Sequence, residues 1–284
     1  MNTAHETSRQ VSPPEWERVY NERLELNLSK LSEILDIHFK RNPFRSLRRR
    51  FVLAHAPRVG SHLVCERLLG YGAIIEEFFE VPRMRGVARK YNFATVEELC
   101  DWLLEKYAVS GVFGVSGGVK ALGPLVLSGE IPKFISEWCF VYLTREDFVA
   151  RAVSELMARL TGAFKSSKAP AMVVSDADYD AVRLRRLIDG TVTFNAAWEG
   201  AFKTYGVEPY RLTYETLCAD IDGEVSKVAA FLGLDHTPVE DVRFVAPRLE
   251  KQATDINQRW AERFRAENAD FCKERANKDL GSRA

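Results

Sequence analysis

The sequence predicts an α/β fold, with a central parallel sheet, helices on both faces and an N-terminal helical arm. Short apolar runs bounded by charged or turn residues alternate along the chain with longer stretches of helical periodicity. A tight, glycine-containing loop joins the first apolar run to the helix that follows it. We expect an arm at 1–48, a main domain at 49–268 and a C-terminal tail at 269–284.

The arm is expected to contain one amphipathic helix at 15–39, after a polar, disordered start at 1–12. Four leucines recur at helical spacing, namely Leu24, Leu28, Leu31 and Leu35. This apolar stripe can pack within the monomer or contribute to a homodimer, and the sequence leaves both open. The arginine-rich stretch 41–50 is interpreted as a solvated linker rather than as a patch for an anionic partner.

Four strands and four helices are predicted in the main domain. The strands are FVLAHA (51–56), GVFGV (111–115), WCFVYL (138–143) and PYRLTY (209–214). The helices are SHLVCERLLGYG (61–72), TVEELCDWLLEKY (95–107), DFVARAVSELMARL (147–160) and the long segment 178–205. We expect the first of these helices to end at Gly70 or Gly72, and the chain to fray after about Asn268.

Composition limits the function classes. Lys plus Arg and Asp plus Glu both number 40, so no global field holds the chain on nucleic acid or on an anionic membrane. The 5 cysteines are odd in number and lack CxxC spacing, which is typical of a reducing compartment rather than of disulfides or a metal site. The N-terminus lacks a secretory h-region, and no apolar run approaches the ~20 residues of a membrane span. These features predict a cytoplasmic protein without integral membrane association.

The first candidate anion site is the loop APRVGSH at 56–62, between the first strand and its helix. A helix N-terminus offers free N–H groups, and Gly60 permits close approach of the backbone to an anion. Ser61 can add a hydroxyl donor and Arg58 a planar cation. Taken alone, such a loop is more often an ordinary strand-to-helix turn. The chain contains no GxxxxGK[ST] motif, which disfavours an ATP-driven kinase.

The second candidate site combines Arg145, just after the strand WCFVYL, with Ser154 in the following helix. Both side chains can converge on one phosphate, although Arg145 can instead pair with Glu146 or Asp147 at the surface. Two anion sites at the carboxyl ends of parallel strands suit a ligand with phosphates at both ends.

Six segments in order carry a resemblance that runs from about Phe51 to Phe264. They are FVLAHAPRVGS, IIEEFF (74–79), GVFGV before Lys120, YLTREDFVARAVSELMARLTGAF, AAWEGAFKTYGVEPYRLTYETL with VAAFLGLD, and RLEKQATDINQRWAERFR. Together they resemble the bacterial trehalose 2-sulfotransferase family and, more distantly, sulfotransferases in general.

The resemblance implies a P-loop-like three-layer fold and transfer of a sulfuryl group from 3'-phosphoadenosine-5'-phosphosulfate (PAPS) to a carbohydrate or glycolipid hydroxyl, without a metal. It assigns Glu77 as the general base. It gives Arg58, Gly60, Ser61 and His62 to the 5' end of the donor, with Arg58 also catalytic. Arg145 and Ser154 then hold the 3' phosphate, and relatives of the family suggest a homodimer.

The chain departs from the family pattern in the first loop, where Val59 and His62 replace a serine and a threonine. Two hydroxyl donors are therefore absent, although His62 can donate a hydrogen bond or turn outward. Ile75 also stands where the family often has proline. A non-catalytic nucleotide- or carbohydrate-binding relative is the main alternative, and a kinase of a small alcohol is the second.

Several further residues align loosely with the family. Lys120 is placed near the sulfuryl group, and Arg248 or Lys251 over the nucleotide. Trp198 and Tyr214 are expected to pack in the core, because aromatic residues at such spacing usually do.

Overall fold

The computed structural model describes residues 15–164, 169–236 and 255–283. Five parallel strands form one sheet in the order β2-β3-β1-β4-β5. The strands are β1 (Arg49–His55), β2 (Ile75–Glu76), β3 (Val112–Gly117), β4 (Trp138–Thr144) and β5 (Tyr210–Thr213). The predicted α/β fold with a central parallel sheet is confirmed.

The described residues form helices before, between and after these strands. They are α1 (Glu15–Ser32), α2 (Ser61–Leu68), α3 (Val81–Tyr91), α4 (Val96–Tyr107), α5 (Gly123–Leu127), α6 (Phe148–Thr161), α7 (Ala181–Tyr205), α8 (Tyr214–Ala219), α9 (Ile221–Phe231), α10 (Asp255–Glu267) and α11 (Ala269–Arg283). After α2, a short 3-10 turn leads to Gly72, whose left-handed conformation ends the segment as predicted.

Helices cover both faces of the sheet, because neighbouring residues of a strand point to opposite sides. Along β1, Val52 and Ala54 join a core with α1, α4 and α7. Phe51 and Leu53 join a second core with α2 and α9. A third cluster lies among α6, α7, α10 and α11, beside the sheet.

Helix α1 packs into the first of these cores, the one that contains Val52 and Ala54. Leu24, Leu31 and Leu35 are buried in the same cluster as Phe113 of β3, and Leu28 packs against it. The hydroxyl of Tyr20 hydrogen-bonds that of Tyr205 on α7. The apolar stripe is therefore used within the monomer, and the helix ends at Ser32 rather than at 39.

The interpretation of 41–50 as a solvated linker is wrong at its end. Arg50 is buried at the start of β1 and pairs with Glu130 and Glu137. Phe44 is fully buried within a short 3-10 turn. The segment therefore closes the amino edge of the sheet instead of crossing open solvent.

The expected fraying after Asn268 is also wrong for the described residues. Residues 269–283 are helical, and Phe271 meets Phe264 of α10 at 6.2 Å between ring centroids. Arg275 pairs with Asp189 of α7 at 2.5 Å. The predicted disorder of 1–12 lies outside the described residues.

Candidate functional site

The carboxyl ends of the five strands gather at one edge, and the loop 56–60 leaves β1 at its centre. Gly60 adopts φ +89° directly before α2, a left-handed conformation that favours glycine. A Cβ at Gly60 would lie 2.9 Å from Cδ2 of Tyr214, so a side chain there would clash. The loop thus presents bare backbone at the start of a helix, where N–H groups attract anions.

Arg58 connects this loop to α6. Its Nε donates a hydrogen bond to Oγ of Ser154 at 3.2 Å, and its Nη1 donates to the carbonyl of Phe164 at 2.6 Å. Arg58 itself has φ +66°, unusual for a residue with a side chain. Burial, and then the nearby charge of Arg145, lower the pKa of Arg58. Arg58 therefore lies close to a second positive charge, which disfavours its own charged form.

Arg145 lies against the same loop. Its Nη1 approaches the carbonyl of Arg58 at 3.5 Å, and its guanidinium lies 4.4 Å from the ring centroid of Tyr214. Its Nε is buried without a hydrogen-bond partner among the described residues. A buried donor left unsatisfied is costly, and an anion between the two arginines would satisfy it.

The alternative pairing of Arg145 with Asp147 does not occur. Asp147 instead caps α6 by accepting from the N–H of Ala150 at 2.9 Å. Its carboxylate also binds Arg265 of α10 at 2.7 Å. The structure thus brings Arg58, Arg145 and Ser154 together, whereas the sequence assigned Arg58 to one anion site and Arg145 with Ser154 to another.

Sequence reasoning missed Arg151 and Glu155. Arg151 is 1% exposed, and its Nη1 donates to the carbonyl of Pro57 at 3.1 Å and to Glu155 at 2.6 Å. Its Nη2 donates to the carbonyl of Leu187 on α7 at 2.6 Å. Arg151 therefore ties the loop to α6 and α7 from beneath. The one available signal was the i,i+4 spacing of Arg151 and Glu155 within a predicted helix.

Glu77 directly follows the short strand β2 and is half-buried. The next two residues, Phe78 and Phe79, are each 1% exposed and anchor the segment in the core. The adjacent Glu76 pairs with Arg83 of α3 at 2.6 Å. The carboxylate of Glu76 is thus held by an ion pair to α3.

Lys120 lies beyond the end of β3, and its Nζ pairs with Glu80 at 2.6 Å. Its backbone carbonyl accepts a hydrogen bond from Asn27 of α1 at 2.8 Å. Arg248 and Lys251, the other loosely aligned cations, lie outside the described residues.

A buried histidine ends β1. Nδ1 of His55 lies 2.8 Å from the carbonyl of Ala56, which can only accept, so Nδ1 carries the proton. Nε2 then accepts from the hydroxyl of Ser116 on β3 at 2.7 Å. Burial lowers the pKa of His55 to about 4, so the ring is neutral near pH 7. The pair joins the start of the loop to the neighbouring strand.

Of the two aromatic residues expected in the core, one is buried there and the other lies at the site. Trp198 is fully buried on α7, as predicted. Tyr214 is half-buried, and it forms a wall of the site between Gly60 and Arg145. Val59 is 1% exposed, and its side chain packs into the core on the α2 and α9 side.

The described residues offer neither a cluster of metal ligands nor a membrane-spanning helix. They contain no group of three or more His, Cys, Asp or Glu residues arranged to hold a metal ion. None of the described helices combines the length and apolarity needed to cross a bilayer. All 5 cysteines are free thiols.

The chain matches the family profile described as Stf0 sulphotransferase over residues 126–267. It is 29% identical over 132 residues to trehalose 2-sulfotransferase of Mycobacterium tuberculosis, a match that covers 46% of this chain and 47% of that protein. The chain thus spans about half the length of the curated relative it matches.

Two solved structures are similar in outline. A sulfotransferase from Alicyclobacillus acidocaldarius aligns with TM-score 0.47 and 15% identity, covering 84% of this chain and 99% of the other. The sulfotransferase domain of the Synechococcus PCC 7002 olefin synthase gives TM-score 0.43 and 15% identity, covering 81% and 98%.

Proposed function

Because the chain belongs to the Stf0 sulphotransferase family, we propose that it transfers a sulfuryl group from PAPS to a hydroxyl of a carbohydrate or glycolipid. The observation that carries the proposal is the convergence of Arg58, Arg145 and Ser154 at the glycine loop. Family membership supports the reaction class, and the M. tuberculosis relative supports a sugar acceptor.

The residues at this edge fit a nucleotide with two anionic ends. The N–H groups at the start of α2, beside Gly60, would bind the 5' end, together with Ser61 and His62. Arg145 and Ser154 would bind the 3' phosphate, which would satisfy the orphaned Nε of Arg145. Arg58 would stabilise charge that develops on the bridging oxygen.

PAPS supplies an activated sulfuryl group, and the transfer is an in-line displacement that resembles phosphoryl transfer. Positioning and electrostatics therefore provide most of the catalysis. Glu77 would take the proton of the attacking hydroxyl, since a carboxylate beside the acceptor can act as general base. Lys120, paired with Glu80 at the end of β3, would lie near the transferred group.

The main alternative, a non-catalytic relative, depends on the unusual Val59 and His62. The burial of Val59 in the core weakens that alternative, because a side chain at this position packs inside the protein. A hydroxyl there would not reach the nucleotide. Within this loop, His62 in the first turn of α2 then remains as the departure from the family pattern that could affect the ligand.

The test is turnover with labelled donor across a panel of sugar and glycolipid acceptors. Glu77→Gln keeps the size of the side chain and removes the proton acceptor, so kcat should fall by roughly 10²–10⁴. Affinity for 3',5'-ADP should stay unchanged. Glu76→Gln is the matched control, because the carboxylate of Glu76 forms an ion pair with Arg83. Normal turnover of Glu77→Gln would remove Glu77 from the mechanism, and binding of 3',5'-ADP without any turnover would favour the non-catalytic alternative.

We further propose that the protein is cytoplasmic and forms a homodimer. Its domain boundaries would lie at about residues 48 and 268. Because the apolar stripe of α1 is already buried within the monomer, a dimer would need another surface. Light scattering at micromolar concentration tests this, and a monomer mass would end the dimer proposal.

A further inference from the structure

One face of α3 is strongly basic and takes no part in the site described above. The helix contains four cations and no acidic residue, namely Arg83, Arg85, Arg89 and Lys90. Arg83 pairs with Glu76, whereas the other three form no ion pair within the described part of the chain. Since positive and negative charges balance over the whole sequence, this excess is local.

A groove of about 310 Å³ lies beside these arginines, between the end of α1 and α3. Its lining combines apolar and polar side chains, namely Ile34, Arg85, Ala88, Arg89, Asn92, Phe93 and Ala94. Nε of Arg85 is buried and has no hydrogen-bond partner among the described residues. An anionic oxygen in the groove would satisfy this donor, while the apolar lining would accept a short stretch of hydrocarbon.

Three aromatic rings extend the same surface. Tyr91 is 41% exposed, and its ring centroid lies 4.9 Å from that of Trp102 and 5.8 Å from that of Phe93. Lys90 lies 5.1 Å from the Tyr91 centroid, and Lys106 lies 4.7 Å from that of Trp102. Tyrosine and tryptophan beside lysine are typical of surfaces at the boundary between lipid and water.

Three of the four acidic residues of α4 are already engaged. Glu98 closes the capping box of α4, and Asp101 pairs with Arg41 at 2.5 Å. Glu97 accepts the backbone N–H of Lys40. These carboxylates are therefore held by other partners and leave the charge of α3 uncompensated.

We propose that this α3 face docks on a surface of anionic lipid headgroups. Arg85 and Arg89 bind headgroup phosphates at the groove, Lys90 and Lys106 add to the attraction, and Tyr91 lies at the interface. Lipid binding requires no nucleotide, so it is independent of the proposed reaction.

The test is sedimentation of the full chain with vesicles of phosphatidylcholine containing about 30% phosphatidylglycerol, against vesicles of phosphatidylcholine alone. We expect binding to the anionic vesicles only, weakened when salt rises from about 0.1 M to about 0.5 M. Each basic residue near such a surface contributes roughly fivefold, so the triple variant R85Q/R89Q/K90Q should bind on the order of 100-fold more weakly.

The matched control is R183Q/R186Q/K203Q, which removes the same charge from exposed positions of α7 and should bind as the wild type does. Circular dichroism checks that both variants are folded. Equal binding of neutral vesicles, equal loss in the control, or full displacement by inorganic phosphate would overturn the proposal. A change of mass in the R85Q/R89Q/K90Q variant by light scattering would overturn it too, since the face would then join two copies of the chain.

Discussion

The two edges of the sheet use arginine in opposite ways. At the amino edge, Arg50 meets the carboxylates of Glu130 and Glu137, and Arg45 also pairs with Glu137 at 2.9 Å. Glu130 is fully buried and also accepts from Trp138 at 2.7 Å. At the carboxyl edge, Arg58 and Arg145 lie close together, and no ion pair with a described carboxylate neutralises Arg145.

The difference separates structural charge from charge kept for a ligand. At the amino edge each cation and anion satisfies the other, and the side-chain hydrogen bond from Arg45 lowers the pKa of Glu137. At the carboxyl edge the fold brings two half-buried like charges together, an arrangement that an anion would stabilise. Arg151 is the exception there, since Glu155 compensates it and its role is to support the loop.

The largest loss of stability is expected when the ion-pair network at the amino edge is broken. Glu130→Ala leaves the guanidinium of Arg50 buried beside an empty space, and removal of one partner of a buried pair costs about 3–5 kcal/mol. Denaturant unfolding should show this loss in the free energy of unfolding, with unchanged affinity for 3',5'-ADP. Glu137→Ala, at the exposed side of the same network, should cost far less. Equal losses in the two variants would contradict the central position of Glu130.

The next effect comes from Arg151, which supports the loop from below. Arg151→Met should lower stability by roughly 2–3 kcal/mol, because three charge-assisted hydrogen bonds are lost while Glu155 keeps Arg159. Calorimetry should show that the affinities for 3',5'-ADP and for 5'-AMP fall by the same factor, because the loop itself is displaced. Arg159→Met is the control, and it should leave both affinities unchanged. A selective loss of 3',5'-ADP would mean that Arg151 reads the 3' phosphate directly.

The effect of replacing Arg145 should differ from the effects of replacing Glu130 and Arg151. Arg145→Ala would remove the proposed contact to the 3' phosphate, worth about 1.5 kcal/mol or more, so 3',5'-ADP should bind roughly tenfold more weakly and 5'-AMP nearly as before. Stability should hold or rise slightly, because Arg58 loses a like-charged neighbour. Isothermal titration with both nucleotides checks the affinities. An equal loss for the two nucleotides would show that Arg145 does not distinguish the 3' end.

The smallest effect concerns pH. The pKa of His55 is about 4 in the folded protein and about 6.5 when unfolded, so the unfolded chain binds the proton more tightly. Stability is therefore full above about pH 6.5 and falls as pH drops towards 4, by about 1 kcal/mol between about pH 7.5 and 5.5. Denaturant midpoints across this range measure the slope. His55→Gln should flatten it, and an unchanged slope in that variant would assign the effect to other groups.

The sequence predicted the strands that are long enough to show a pattern. β1, β3 and β4 contain apolar runs and β5 alternates larger apolar side chains with polar ones, whereas β2 contains two residues and has no periodicity to detect. Helix α3 was not predicted, because arginines interrupt its apolar positions. Arg50 was misjudged, because an arginine run indicates exposure and its partner Glu130 is distant in the chain.

The candidate site was predictable for a topological reason. Arg58 and Arg145 follow neighbouring strands, and the carboxyl ends of parallel strands meet at one edge. The contacts of Arg151 with backbone carbonyls carry no signature in the sequence. The position of Tyr214 beside Gly60 depends on how β5 joins the sheet, which local periodicity does not specify.

The contact between Gly60 and Tyr214 also has a consequence for biosynthesis. The ribosome makes β1, β3 and β4 long before it reaches β5 and the first residue of α8. At about 5–20 residues per second, the nascent chain carries its glycine loop for many seconds without the tyrosine ring that closes it. The nucleotide proposed above would therefore have no complete binding site to enter until the last strand has been translated and has docked.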